Sequence, residues 1–131
     1  MPSVMIEVRK SYSREERSNI VDAVFDALVD AFKIPNDDKN IRLIVHAPEC
    51  FSCPPSKANP DLYTHISIDC FKGRSLDAKK SLYRSIVRRL EPLGIPADHT
   101  KILLREIPLE NWGLSGGQAG CDVELGFEIH V

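Results

Sequence analysis

Ile34-Pro35-Asn36-Asp37 is the stretch that decides the fold, because the chain repeats it as Ile95-Pro96-Ala97-Asp98, 61 residues further on. Self-similarity at a fixed period outweighs the propensity of any single segment. Working outward from each copy gives the same order of elements. Before the first copy, Ser13-Arg14-Glu15-Glu16 has the capping-box pattern that starts a helix. Ile20, Val24, Leu28 and Phe32 then recur at i, i+4, and Val21, Phe25 and Val29 fill the adjacent row, so one broad face is apolar. Asp22, Asp26 and Asp30 mark a solvated face of the same helix, and Pro35 closes it. Val4, Ile6 and Val8 alternate upstream as a strand, and Ile41–His46 reads as a second strand downstream.

The second copy has the same setting. Ile66–Phe71 is a strand, and Ser75 caps a helix carrying Leu82, Tyr83, Ile86, Val87 and Leu90. Ile102–Ile107 is the strand that follows. On that helix the row Lys80, Arg84, Arg88 reads as a solvated face rather than an anion site. Between the units, residues 47–62 hold Pro48, Pro54, Pro55 and Pro60 and form a loop. The chain is therefore expected to be a single α+β domain of two tandem β-α-β units, about residues 2–48 and 63–108, with a tail over 109–131. Right-handed crossovers place both helices on one face of a four-stranded sheet. In the tail, Val123, Leu125, Phe127 and Ile129 alternate and predict a last strand, paired with a neighbouring subunit if no partner lies within the chain.

The 131 residues fit one domain able to bury its own core. A net charge of −2 gives no basic surface for nucleic acid or an anionic membrane. No apolar run reaches the ~20 residues of a membrane span, and a signal-peptide pattern is missing, so a cytoplasmic protein is expected. In that compartment Cys50, Cys53, Cys70 and Cys121 are expected to be reduced thiols. Cys50-Phe-Ser-Cys53, with His46 just upstream, leaves zinc or redox use as an alternative. No second paired motif completes four ligands, and Pro54-Pro55 follows where a thiolate-stabilising helix would start, so no metal or cofactor is expected.

Pro2 is the first candidate for chemistry. If Met1 is removed, Pro2 becomes a secondary amine at the start of a strand, and burial would lower its pKa from the ordinary ~8 of an α-amino group. If Met1 is retained, the nitrogen is an amide and can neither take a proton nor form an imine. In the tail, Asn111-Trp112-Gly113-Leu114-Ser115-Gly116-Gly117 sets glycine-rich turns beside an aromatic ring, which suits either a ligand wall or a hairpin that packs Trp112 on the core.

Taken together, Pro2, Gly73-Arg74-Ser75 between strand and helix, and Trp112-Gly113-Leu114-Ser115-Gly116-Gly117 make the chain resemble the tautomerase superfamily. That group contains 4-oxalocrotonate tautomerase and malonate semialdehyde decarboxylase. The resemblance implies a homotrimer, and an enzyme that uses an amino-terminal proline on small 2-oxo acids or enol carboxylates without a cofactor. It implies that Arg74 binds the substrate carboxylate, through a guanidinium fork that matches both oxygens. It places Trp112 at the active site, and Val29–Asp38 resembles the decarboxylase branch, which makes Asp38 a catalytic candidate. Lys72 stands where that branch has an additional arginine and is expected to assist Arg74. His46, at the end of the second strand, is expected to touch substrate or to be structural. Three functions follow as alternatives. The first is a tautomerase with neutral Pro2 as base, and the second a decarboxylase or hydratase with cationic Pro2 and an Asp38-activated water. The third is a trimeric binding protein without catalysis if Met1 stays.

Overall fold

The computed structural model describes residues 2–131. Strands β1 (Ser3–Val8), β2 (Ile41–Val45), β3 (Thr64–Phe71) and β4 (Thr100–Ile107) form one sheet in the order β2-β1-β3-β4. Each unit supplies a parallel pair, β1 with β2 and β3 with β4, and the units meet through antiparallel β1 and β3. Helices α1 (Arg14–Phe32) and α2 (Leu76–Leu90) pack on each other and on one face of the sheet.

Period-two alternation is what lets the strands take this position. Val4, Ile6 and Val8 of β1 and Ile66, Ile68 and Cys70 of β3 are buried toward the helices. From above they meet Ile20, Val24, Leu28 and Phe32 of α1 with Leu82, Ile86 and Leu90 of α2. On the other face Met5, Ser67 and Asp69 are partly covered, while Ile44 and Leu103 are exposed.

The predicted start of α1 is found in full. The Ser13 hydroxyl accepts from the Glu16 N–H at 3.1 Å, and the Glu16 carboxylate accepts from the Ser13 N–H at 2.9 Å. The helix ends before Pro35, at Lys33, which adopts a left-handed conformation with φ 56°. Ser75 caps α2 through the Ala78 N–H.

The tail takes one of the two alternatives read from its glycines, the hairpin, and departs from the sequence reading beyond it. Gly113–Leu114 (β5) and Gln118–Ala119 (β6) pair as a short hairpin turned by Gly116 and Gly117, both at positive φ. Residues 123–129 do not form the expected strand. Gly126, at φ +77°, breaks the extended run, and Phe127 and Ile129 turn back onto Phe71 and Gly73. Packing against the protein's own loops has displaced ladder formation.

Candidate active site

Strand directions decide which residues can meet. Because β1 and β3 run antiparallel, with Ser3 paired to Asp69, the start of β1 lies level with the end of β3. Parallel pairing brings the start of β2 and the end of β4 to that same end of the sheet, with Val4 opposite Ile41 and Phe71 opposite Ile107. Pro2, the turn before β2 with Asp38, the Phe71–Ser75 connection and the Ile107–Trp112 exit are thus gathered there. The Val4 N–H bonds the Asn40 carbonyl at 3.0 Å and fastens the turn to the start of β1. Pro2 itself is buried. The processing of Met1 lies outside the described residues.

Arg74 is the unusual side chain at this end. It is 5% exposed, and its guanidinium lies 4.7 Å from the centroid of the Phe32 ring and 5.9 Å from that of Phe127. Nη1 donates to the Phe71 carbonyl at 3.4 Å, while buried Nε and Nη2 have no hydrogen-bond partner among the described residues. Burial pushes its pKa down, partly offset by the Glu106 carboxylate, but a guanidinium stays charged at any working pH. A buried cation with unmet N–H groups is expensive unless a ligand or an opposite charge completes it. Burial likewise pushes the Cys70 thiol up, so it is held as a thiol and not a thiolate.

The connection bearing Arg74 is held from both sides. The Gly73 N–H donates to Glu106 Oε2 at 3.4 Å, and Glu106 Oε1 accepts from Lys79 at 2.8 Å. His130 Nδ1 lies 3.1 Å from the Gly73 carbonyl, and the Ser75 N–H donates to the Val131 carbonyl at 3.0 Å. Gly73 has φ +139°, and a Cβ there would stand 2.9 Å from Ile129 Cγ2 and His130 Cε1. Only glycine suits this position.

Beside Arg74 lies a cavity of ≈ 500 Å³. Phe71, Leu114, Val123, Leu125 and Phe127 supply its apolar wall, and Asp38 lines it together with Pro35 and Asp37. Asp38 accepts from the Asn40 side chain at 2.8 Å, and its own N–H bonds the Pro35 carbonyl. Trp112 stands behind this wall with its ring edge-on to Phe71 at 5.0 Å and its indole N–H donating to the Ile107 carbonyl at 3.2 Å. Gly120 makes that seat available, since a Cβ there would meet the Leu109 carbonyl oxygen at 2.6 Å.

Lys72 is exposed, does not line the cavity, and acts on Glu106, whose carboxyl is held low first by Lys79 and more weakly by Lys72. His46 lies elsewhere. Its N–H bonds the Val8 carbonyl at 2.9 Å, so it sits at the opposite end of β1, roughly 20 Å away by strand length. There its ring is 3.0 Å from Glu7 and edge-on to Phe51. Within one chain it does not join the site.

The sequence reading missed Phe71, Phe127 and Glu106. Phe71 carried a signal, since it is buried on the face opposite Cys70 and so breaks the alternation of β3. Glu106 carried none, as its role depends on β4 lying beside the Gly73 turn. Cys50 and Cys53 are free thiols in the 47–62 loop, and among the described residues no cluster of three or more His, Cys, Asp or Glu suits a metal.

Comparison with known proteins supplies the class. Residues 38–115 match the tautomerase enzyme family model, and the chain belongs to that family. The 2-hydroxymuconate tautomerase of Comamonas testosteroni is 35% identical over 49 residues, 37% of this chain and 78% of that protein. The crystal structure of FG41 malonate semialdehyde decarboxylase inhibited by 3-bromopropiolate superposes with a TM-score of 0.80 at 27% identity, covering 88% of this chain and 91% of that one. A fused 4-OT asymmetric trimer has a TM-score of 0.81 at 20% identity, over 92% of this chain and 97% of its own, and shares the fold.

Proposed function

We propose that the protein is an isomerase that moves a proton alpha to the carbonyl of a small 2-oxo acid or its enol, with Pro2 as the base. Met1 is removed in this reading. The neutral Pro2 nitrogen takes a proton from the carbon beside the carbonyl, and the C–H electrons pass to the carbonyl oxygen as an enolate. The Pro2 ammonium then gives the proton to another carbon of the conjugated system or to the enolate oxygen, which regenerates the neutral amine. Arg74 binds the substrate carboxylate through its two unmet N–H groups and offsets enolate charge. Trp112 and Phe71 keep water out, and Lys72 adds positive potential at the mouth. No cofactor is needed, because an amine whose pKa lies near working pH can both take and return the proton.

The observation that carries the reading is the buried Arg74, incompletely bonded among the described residues, at the end of the sheet where buried Pro2 precedes β1. Its test has two parts. Mass analysis of protein purified from cells should find Met1 absent, and retained Met1 would overturn catalysis and leave a binding protein. Alkylation of Pro2 by a halogenated pyruvate, followed against pH, should then show a midpoint below the ~8 of an ordinary α-amine.

A second reading is favoured by Asp38 on the cavity wall and by the likeness to a malonate semialdehyde decarboxylase. There Asp38 would keep Pro2 protonated and orient a water, giving decarboxylation of a 3-oxo acid or hydration of an unsaturated one. A midpoint above ~8 selects it. In either reading we propose a homotrimer, supported by the fused 4-OT trimer of the same fold and by exposed Ile44 and Leu103 on the open sheet face.

A further inference from the structure

Arg74 adjoins the cavity without lining it. Its guanidinium packs on the rings of Phe32 and Phe127 and against the Phe71 carbonyl. Phe71 and Phe127 also line the cavity, so they form the partition between its space and the guanidinium. A ligand oxygen can reach the unmet Nε and Nη2 only if a neighbour moves. Phe71 is buried and paired with Ile107 in the sheet, and Phe32 is buried at the end of α1. Phe127 is half-buried on a segment without regular structure.

That segment is a strap tied at both ends. At its start the Gly120 N–H donates to the Trp112 carbonyl at 2.8 Å. At its far end Ile129 is buried beside Gly73, and the Ser75 N–H donates to the Val131 carbonyl at 3.0 Å. Between the ties, among the described residues, no backbone group of residues 124–128 joins a backbone hydrogen bond. Gly126 stands mid-span at φ +77°, and a Cβ there would meet nothing within 4 Å. Glu124, Gly126 and Glu128 are exposed, while Val123, Leu125 and Phe127 turn to the cavity. A span with few backbone bonds and one half-buried ring opens at a fraction of the cost of unfolding the whole chain.

Resting on the function proposed above, we infer that residues 123–128 are a lid over Arg74, which lifts to let the substrate carboxylate reach Nε and Nη2. Phe127 then closes behind the ion pair and keeps water from it, where a charge-assisted hydrogen bond is strongest.

The test is labelling of Arg74 by phenylglyoxal in the full chain, read by peptide mass spectrometry at urea concentrations below the unfolding transition. A lid exposes little surface as it opens, so the rate should be nearly flat in urea. Phe127→Ala should raise it at least about tenfold by removing the cover. Gly126→Ala leaves the cover in place but strains the closed strap, and should raise the rate about fivefold or more. A rate that climbs with urea in step with the unfolded fraction overturns the lid, because only global unfolding then exposes the arginine. So does an unchanged rate in either variant. Deuterium exchange at C3 of 2-oxobutanoate, read by NMR, tests the base separately. Urea-independent labelling without accelerated exchange fells the proposed isomerase and leaves the lid standing.

Discussion

Arg74 and Gly73 concentrate the cost and the use of this site in two neighbouring residues. The guanidinium is buried, Nε and Nη2 have no hydrogen-bond partner among the described residues, and in the proposed function these two groups meet the substrate carboxylate. Arg74→Lys keeps the charge but loses the fork. We expect KM for a 2-oxo acid to rise about tenfold to a hundredfold, with a smaller change in kcat, as measured by steady-state kinetics. Gly73→Ala forces a Cβ into Ile129 and His130 at a φ that L-residues rarely adopt. Urea unfolding should record a loss of about 1–3 kcal/mol. Because His130 and Val131 bond the same turn, the variant should also weaken carboxylate binding.

At the scale of elements, Glu106 ties three of them together. From β4 it accepts from Lys79 on α2 and from the Gly73 N–H in the turn between β3 and α2. The Lys79 ammonium, chiefly by hydrogen bonding, holds the Glu106 carboxyl below the usual range for glutamate. A carboxyl depressed in the folded state stabilises the fold above its unfolded pKa of about 4.3, and that contribution disappears as pH falls through the lower folded value. Thermal unfolding between pH 6 and 3 should therefore show a loss of stability on acidification that is smaller in Glu106→Gln. If the two profiles run parallel, the clamp contributes nothing. Much of this element-level architecture was legible beforehand. The capping box at Ser13, the two apolar helix faces and the alternation in β1 each depend on neighbours three or four positions away at most. The tail was less legible, since Val123, Leu125, Phe127 and Ile129 alternate as a strand does. Gly126 and the aromatic contacts of Phe127 with Phe71 decide otherwise.

For the whole molecule, the open sheet face raises the question of assembly. Leu103 is 45% exposed and Ile44 38%, on strands at opposite edges of the sheet. Large apolar side chains on a sheet face mark an interaction surface more often than isolated ones elsewhere. In the proposed trimer they are covered by neighbouring copies, and Leu103→Glu should bury a charge at that contact. Sedimentation should give three times the chain mass for the unaltered protein and a lower mass for the variant. A monomeric unaltered protein would remove the trimer from the proposal.

Determined by the sequence itself were the two β-α-β units and the residues worth watching at their ends. Period-two and period-3.6 patterns are local, and the echo of Ile34–Asp37 at Ile95–Asp98 is a comparison within the chain. Which of those residues share a place was decided only by the tertiary structure. Pro2, Asp38, Arg74 and Trp112 are far apart in the chain and reach one end of the sheet because β1 runs antiparallel to β3 while each unit pairs in parallel. The same directions carry His46 to the other end, although it follows a strand just as Lys72 does. Strand direction and register are long-range properties, set when two hydrophobic faces are buried together, and no short stretch of sequence contains them.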